Sequence, residues 1–189
     1  RSFTLINATD IRKGTIINID GDLFSVTDFQ HVMPGKGGAF VQVSIKNLKH
    51  GNVVQKRFRS TDKVKDVFLE HRDMEYLYQD GDNFCFMDTE TYDQILLSKE
   101  VLGDTMSYMT PNSRADVSFY EENPIWVELP SSVTLKIVET DPGVKGDTVT
   151  NVFKPAKLET GYIVKVPLFI NSGETIKVDT RTGLFLGRA

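Results

Sequence analysis

The chain has little of what metal and redox sites are made from. Its 189 residues include one cysteine, Cys85, and three histidines, His31, His50 and His71. A single thiol excludes any disulfide within the chain, and Cys85 lies in "NFCFMD" between Phe84 and Phe86, a strand-like run that reads as a buried structural thiol rather than a nucleophile. The histidines are isolated and lack metal-ligand spacing; there is no H-E-x-x-H, no G-x-S-x-G and no cysteine cluster, so neither a metal nor a cofactor is expected. No apolar run approaches the length of a membrane span. The first residues lack the basic-then-apolar pattern of a secretory leader, and the expectation is a cytoplasmic protein with no membrane partner.

A net charge of −4 argues against a wholesale nucleic-acid coat protein, but the charge is unevenly spread. Lys and Arg number 11 against 5 Asp and Glu in residues 1–65, 3 against 15 in 66–129, and 8 against 6 in 130–189. A basic module beside an acidic one can orient a molecule on a polyanion, touching it with one part and avoiding it with another.

What the chain does have is short strands and turns. "TIINIDGDLFSVTDF" is two β-rich runs around Asp20-Gly21, "AFVQVSIKNL" alternates apolar and polar residues, and "KHGN" turns the chain into "VVQKRFRS". "MEYLYQDGDNFCFMD" is another hairpin and "ADVSFYEENPIWVELP" a strand, turn and strand, whereas the apolar spacing of "TYDQILLSKEVLGDTMSYM" predicts one or two short helices. The last third reads as "SSVTLKIVET", a Gly-rich loop, "GYIVKVPLFI", and "ETIKVDTRTGLFLGR" with a turn at Thr182-Gly183. Asp-Gly-Asp-x-Phe occurs at 20–24 and again at 80–84; without further carboxylates and a closing glutamate these are turns, not calcium loops. Together with the charge blocks and Pro130, the repeat predicts an all-β chain of three small domains, 1–65, 66–129 and 130–189. Modules of about sixty residues bury a limited core and are usually barrels that close their own edges.

"HVMPGKGGAF", residues 31–40, sets Lys36 among glycines at a predicted hairpin tip. It is not a phosphate loop: the earlier glycine and the Ser or Thr after the lysine are missing. A lysine nucleophile needs burial or neighbouring cations, which the tip does not offer. Pro34 fixes the backbone into the turn, while Gly35, Gly37 and Gly38 permit positive φ and leave Lys36 without side-chain neighbours. Two readings stay open, an ordinary exposed lysine or a finger that enters a crowded anionic place or the active site of a modifying enzyme.

Three motifs in order resemble those of bacterial elongation factor P. They are "VMPGKGGAF", "TDPGVKGDT" at 140–148, and "KPAKLETGYIVKVPLFINSG" at 154–173, which carries the family signature in Lys154, Ala156, Gly161, Val164, Val166, Pro167, Ile170 and Gly173. The resemblance spans the whole chain. It implies an N-terminal SH3-like (KOW-like) barrel followed by two OB-fold barrels, L-shaped and tRNA-like. The implied function is binding to the 70S ribosome between the peptidyl and exit tRNA sites and rescue of stalling at consecutive prolines. It also implies that the protein is not an enzyme, and is most simply a monomer. Lys36 stands where the family's modified lysine stands, so a lysine-modifying enzyme is an implied partner. By the same likeness the first domain faces the acceptor stem of peptidyl-tRNA, notably prolyl-tRNA, with Lys56, Arg57 and Arg59 as possible tRNA or rRNA contacts. Gly146, Asp147 and Thr148 would approach the mRNA at the exit-site codon, although they also read as a tight loop. Arg181 is either an RNA contact or a turn residue.

Four rivals are weighed against this reading, one of them an enzyme using Lys36, which predicts turnover without ribosomes. An elongation factor P-like paralogue should depart from "PGKG" and "DPGVKGDT". The hypusine-bearing factor of archaea and eukaryotes has only two domains. A sequence-tolerant single-strand binder needs aromatic platforms in a basic groove, whereas "NFCFM" and "DVSFY" lie in the acidic third and read as core.

Overall fold

A computed structural model describes residues 3–143 and 152–189. The chain is all-β, folded into three antiparallel half-barrel sheets with little helix. The first sheet has six strands: β1 (Phe3–Asn7), β2 (Ile16–Ile19), β3 (Asp22–Val32), β4 (Phe40–Asn47), β5 (Val53–Arg59) and β6 (Lys63–Val67). They are ordered β1-β6-β2-β3-β4-β5, which leaves β5 at one edge. In β4 the alternation seen in the sequence becomes burial: Val41, Val43 and Ile45 turn inward, beside Ile17, Val26, Phe58 and Val64. Each such side chain contributes roughly 1.5–3 kcal/mol when fully buried, against roughly 1–2 kcal/mol per residue to order the backbone. The β3–β4 hairpin is therefore firm where it lies on this core and has no such support beyond it.

The second sheet comprises β7 (Glu70–Asp80), β8 (Asn83–Asp88), β9 (Gln94–Ser98), β10 (Arg114–Tyr120) and β11 (Asn123–Glu128), ordered β11-β10-β7-β8-β9. Phe84, Cys85, Phe86, Val117 and Phe119 are buried. Cys85 is a free, buried thiol, and the aromatics of "NFCFM" are core. The helix expected over residues 91–109 is only half present. Gln94–Ser98 pairs with β8 as a strand, and helix begins at α1 (Lys99–Leu102), where the Ser98 hydroxyl accepts from the Val101 amide, before a 3-10 stretch at Gly103–Tyr108. Ile95 and Leu97, two residues apart, share one face of the strand, and cross-strand pairing with Phe86 and Phe84 of β8 decides the conformation.

The third sheet comprises β12 (Ser132–Thr140), β13 (Phe153–Leu158), β14 (Ile163–Pro167), β15 (Thr175–Asp179) and β16 (Phe185–Arg188), ordered β14-β13-β12-β15-β16. Its core is Leu135, Ile137, Ala156, Leu158, Val164, Val166, Ile170, Ile176 and Val178. Chain packing separates two compact units, Arg1–His71 with Ser118–Trp126, and Arg72–Val117 with Val127–Ala189. Among the described residues, no helix is long and apolar enough to cross a membrane, and no cluster of His, Cys, Asp or Glu could hold a metal ion.

The two Asp-Gly-Asp-x-Phe stretches form different turns. At the first, Ile19 pairs with Asp22 and the corner is Asp20-Gly21, both at positive φ (52° and 92°), as a two-residue hairpin requires. At the second, Asp80 pairs with Asn83 and the corner slips one residue to Gly81-Asp82, with only Gly81 at positive φ. The flanking side chains differ: Asn18 Oδ1 accepts from the Gly21 amide at 3.0 Å, whereas Gln79 Nε2 donates to the Gly81 carbonyl at 2.9 Å.

Candidate functional site

The loop 33–39 caps the β3–β4 hairpin, whose last cross-strand pair is Val32 with Phe40. Met33, Pro34, Gly35, Lys36, Gly37 and Gly38 are all exposed, Met33 to 85 %. Of the three glycines only Gly37 takes positive φ (102°), so it alone needs to be glycine for its backbone conformation. A Cβ added at Gly35 or Gly38 would meet nothing within 4 Å, which leaves the sides of Lys36 open as the sequence predicts. Lys36 has no hydrogen bond or ion pair among the described residues.

The loop is held at its exit. The Ser60 amide donates to the Ala39 carbonyl at 3.1 Å, and Arg57 lies over the Phe40 ring with its guanidinium carbon 3.6 Å from the centroid. These contacts come from β5 and the turn after it, where the Asp62 carboxylate accepts from the Arg59 amide at 2.8 Å. Only Phe58 of β5 is buried, so Lys56, Arg57 and Arg59 form an exposed basic edge. Lys56 sits over the ring of its own strand neighbour Phe58 at 5.7 Å. The three cations named from the sequence are thus brought beside the root of the lysine loop, two of them resting on aromatic rings.

Arg12 escaped sequence reasoning. It follows the short 3-10 turn Ala8–Asp10, donates to the carbonyls of Thr9 (2.9 Å) and Ile11 (2.8 Å), and lies over the Phe29 ring at 5.5 Å. Phe29 in turn meets His31 edge to face at 5.8 Å. A lone arginine in "IRKG" gives no sign that β3 will pass beneath it.

Gly146, Asp147 and Thr148 lie outside the described residues. The residues leading into that stretch are described, and the signature at 154–173 holds them. Lys154 is buried and its ammonium donates to the Asp141 carbonyl. Asn171 Oδ1 accepts from the Gly143 amide at 2.7 Å, and Ser172 Oγ accepts from the Thr140 amide at 3.0 Å. A side chain at Gly143 would place its Cβ 2.6 Å from Asn171 Oδ1 and 2.9 Å from the Phe169 carbonyl, so the close approach excludes one. Six further signature residues have structural reasons: Ala156, Val164, Val166 and Ile170 are core, while Gly161 and Gly173 turn the chain at φ of 89° and 87°. Arg181 sits in the turn after β15, its amide donating to the Asp179 carboxylate. With the Thr182 amide, that bond holds the Asp179 carboxyl below the usual aspartate range.

The described residues thus form three half-barrel sheets in succession, the first bearing an exposed lysine finger at the tip of its β3–β4 hairpin. Family models match along the chain: the elongation factor P KOW-like domain over residues 7–64, its OB domain over 69–127, and the elongation factor P C-terminal domain over 133–188. Elongation factor P of Moorella thermoacetica is 49% identical over 185 residues, 98% of this chain and 100% of that one. That of Saccharopolyspora erythraea is 49% identical over 184 residues, 97% of this chain and 98% of that one. The chain belongs to the elongation factor P family, a family of translation elongation factors. In fold it is similar to eukaryotic translation initiation factor 5A from Methanococcus jannaschii, with a TM-score of 0.55 at 19% identity over 67% of this chain and 98% of that one.

Proposed function

We propose that the protein binds the ribosome between the peptidyl and exit tRNA sites and promotes peptide-bond formation at consecutive prolines by positioning peptidyl-tRNA. The observation that carries this is the geometry at Lys36: a cation with no partner among the described residues, on an exposed tip whose stem is fixed by a core and a basic edge. Such a finger can reach a polyanion in a narrow place without presenting any other side chain that would need its own partner. Proline's ring restricts the backbone and makes its nitrogen a secondary amine, so a prolyl donor or acceptor reaches attack geometry rarely. A cation that holds the acceptor end of the tRNA removes part of that orientational cost without chemistry of its own. The ribosome remains the catalyst, and the factor is not an enzyme.

The chain is read as three modules, 1–65, 66–129 and 130–189, of which the first, with six more basic than acidic residues, lies against RNA phosphates. The middle one, twelve more acidic than basic, faces protein or solvent. Gly146, Asp147 and Thr148 approach mRNA at the exit-site codon. Support for this comes from the way Lys154, Asn171 and Ser172 hold the residues that lead there. The protein acts as a cytoplasmic monomer, and a separate enzyme lengthens Lys36. Peptide mass spectrometry of the protein from its native host is expected to find a stable addition on Lys36; a bare lysine would remove the modifying enzyme from this account.

The basic edge gives a second expected result. Neutralising Lys56, Arg57 and Arg59 together should weaken ribosome binding and flatten its dependence on salt, by roughly 0.7 in log–log slope for each lost phosphate contact. An unchanged slope would mean that none of the three meets RNA.

A further inference from the structure

Of the three cations on β5, Arg57 is set apart by what it touches. Its guanidinium carbon is 3.6 Å from the Phe40 centroid, closer than any other cation over a ring among the described residues, and it makes no hydrogen bond or ion pair there. Phe40 is the residue at which the lysine loop re-enters the sheet, paired with Val32 on one side and Arg59 on the other. Arg57 reaches its ring diagonally, from opposite Gln42. Because Pro34 to Gly38 are exposed, the direction of the tip is decided at its two roots. The root at Val32 has the ladder of β3 and β4. The root at Phe40 has the Ser60 amide on Ala39 and the Arg57 guanidinium over the ring.

We infer that Arg57 is a positioning residue for Lys36: by lying close over the Phe40 ring it fixes the exit of the loop and so the direction in which the lysine points. The consequence for stall rescue rests on the role given to Lys36 above; the consequence for loop order does not. A planar guanidinium suits this task and an ammonium does not, since only the former stacks face to face on a ring. A residue that merely neutralised phosphate would need charge but not shape.

The full-length protein separates the two roles through Arg57→Lys, Phe40→Leu and the double variant. Backbone 15N relaxation at Gly35, Gly37 and Gly38 is expected to show increased loop motion in both single variants, and no further increase in the double. In a reconstituted translation assay on a Pro-Pro-Pro template, each single variant should lower the saturated rate roughly threefold, the size expected from loss of one stacked cation. The half-saturating concentration should stay within about twofold, because charge and bulk binding are retained. Unchanged loop relaxation in both single variants overturns the inference whatever the rates do. A normal rate for Arg57→Lys and Phe40→Leu, with a raised half-saturating concentration for Arg57→Gln, also overturns it and makes Arg57 a plain counter-charge. Increased loop motion in a protein whose Lys36→Ala form rescues as well as wild type leaves the positioning role standing and removes only the role of Lys36.

Discussion

Lys36→Ala is expected to leave the unfolding midpoint unchanged, a shift of less than about 0.5 kcal/mol, while abolishing stimulation of peptide-bond formation on Pro-Pro-Pro templates. Stability should be indifferent because the side chain is exposed and has no partner among the described residues. Activity should collapse because the neighbouring glycines carry no side chain that could stand in for it. Lys36→Arg is the informative companion: it keeps the charge but replaces a compact ammonium, on which the proposed modifying enzyme would act, with a guanidinium that cannot be extended in the same way. Rescue by Lys36→Arg but not by Lys36→Ala would assign the effect to charge alone. Rescue by both would overturn the role of the residue. The measurement is single-turnover peptide-bond formation in a reconstituted system, alongside urea unfolding of each variant.

The second large effect is on stability, at Gly183. Its φ is 73°, and an added Cβ would stand 2.3 Å from Tyr162 Oη and 3.0 Å from Tyr108 Oη. Tyr162 cannot simply move aside. Its hydroxyl donates to the Gly183 carbonyl at 3.1 Å, and its ring packs on Tyr108 with centroids 5.3 Å apart, against the core of the third sheet. Burial first, and then the hydrogen bond with Tyr162, push the Tyr108 phenol up to about 12. Gly183→Ala is therefore expected to cost roughly 3 kcal/mol, combining the left-handed backbone, the overlap and the displaced hydrogen bond. Adding Tyr162→Phe removes the nearest oxygen and should recover part of the loss, leaving the backbone share of about 1 kcal/mol and the missing bond. Urea denaturation of the single and double variants measures both. A loss below about 1 kcal/mol for Gly183→Ala would mean that the tyrosine pair yields freely.

The parts of the molecule that sequence reasoning reached are those with local causes. The alternation of "AFVQVSIKNL" became the inward row Val41, Val43 and Ile45, and Pro34 with its glycines marked the hairpin tip before any partner strand was known. Residues 91–109 were misjudged where a non-local cause prevailed, since nothing within "QILLS" announces that β8 will lie beside it. The same limit hid the stack of Arg57 on Phe40, which exists only once β4 and β5 are in register, and that of Arg12 on Phe29. The signature at 154–173 was legible as a pattern but not as a set of causes. Its lysine acquires a reason only when Asp141 is seen lying against it, its apolar positions only when the third sheet closes into a core, and its glycines only when the chain turns at them. The repeated Asp-Gly-Asp-x-Phe string shows the converse, one short string in two turn registers, with Asn18 bonded to the first corner and Gln79 to the second.

The burial of Cys85, only 2 % exposed, has a practical side. A protein whose one native thiol is shielded accepts a second, exposed one as a selective chemical handle. A cysteine installed in place of Lys36 could be alkylated in the folded protein with aminoalkyl reagents of graded length. The reach of the finger would then become a variable chosen at the bench, one methylene at a time.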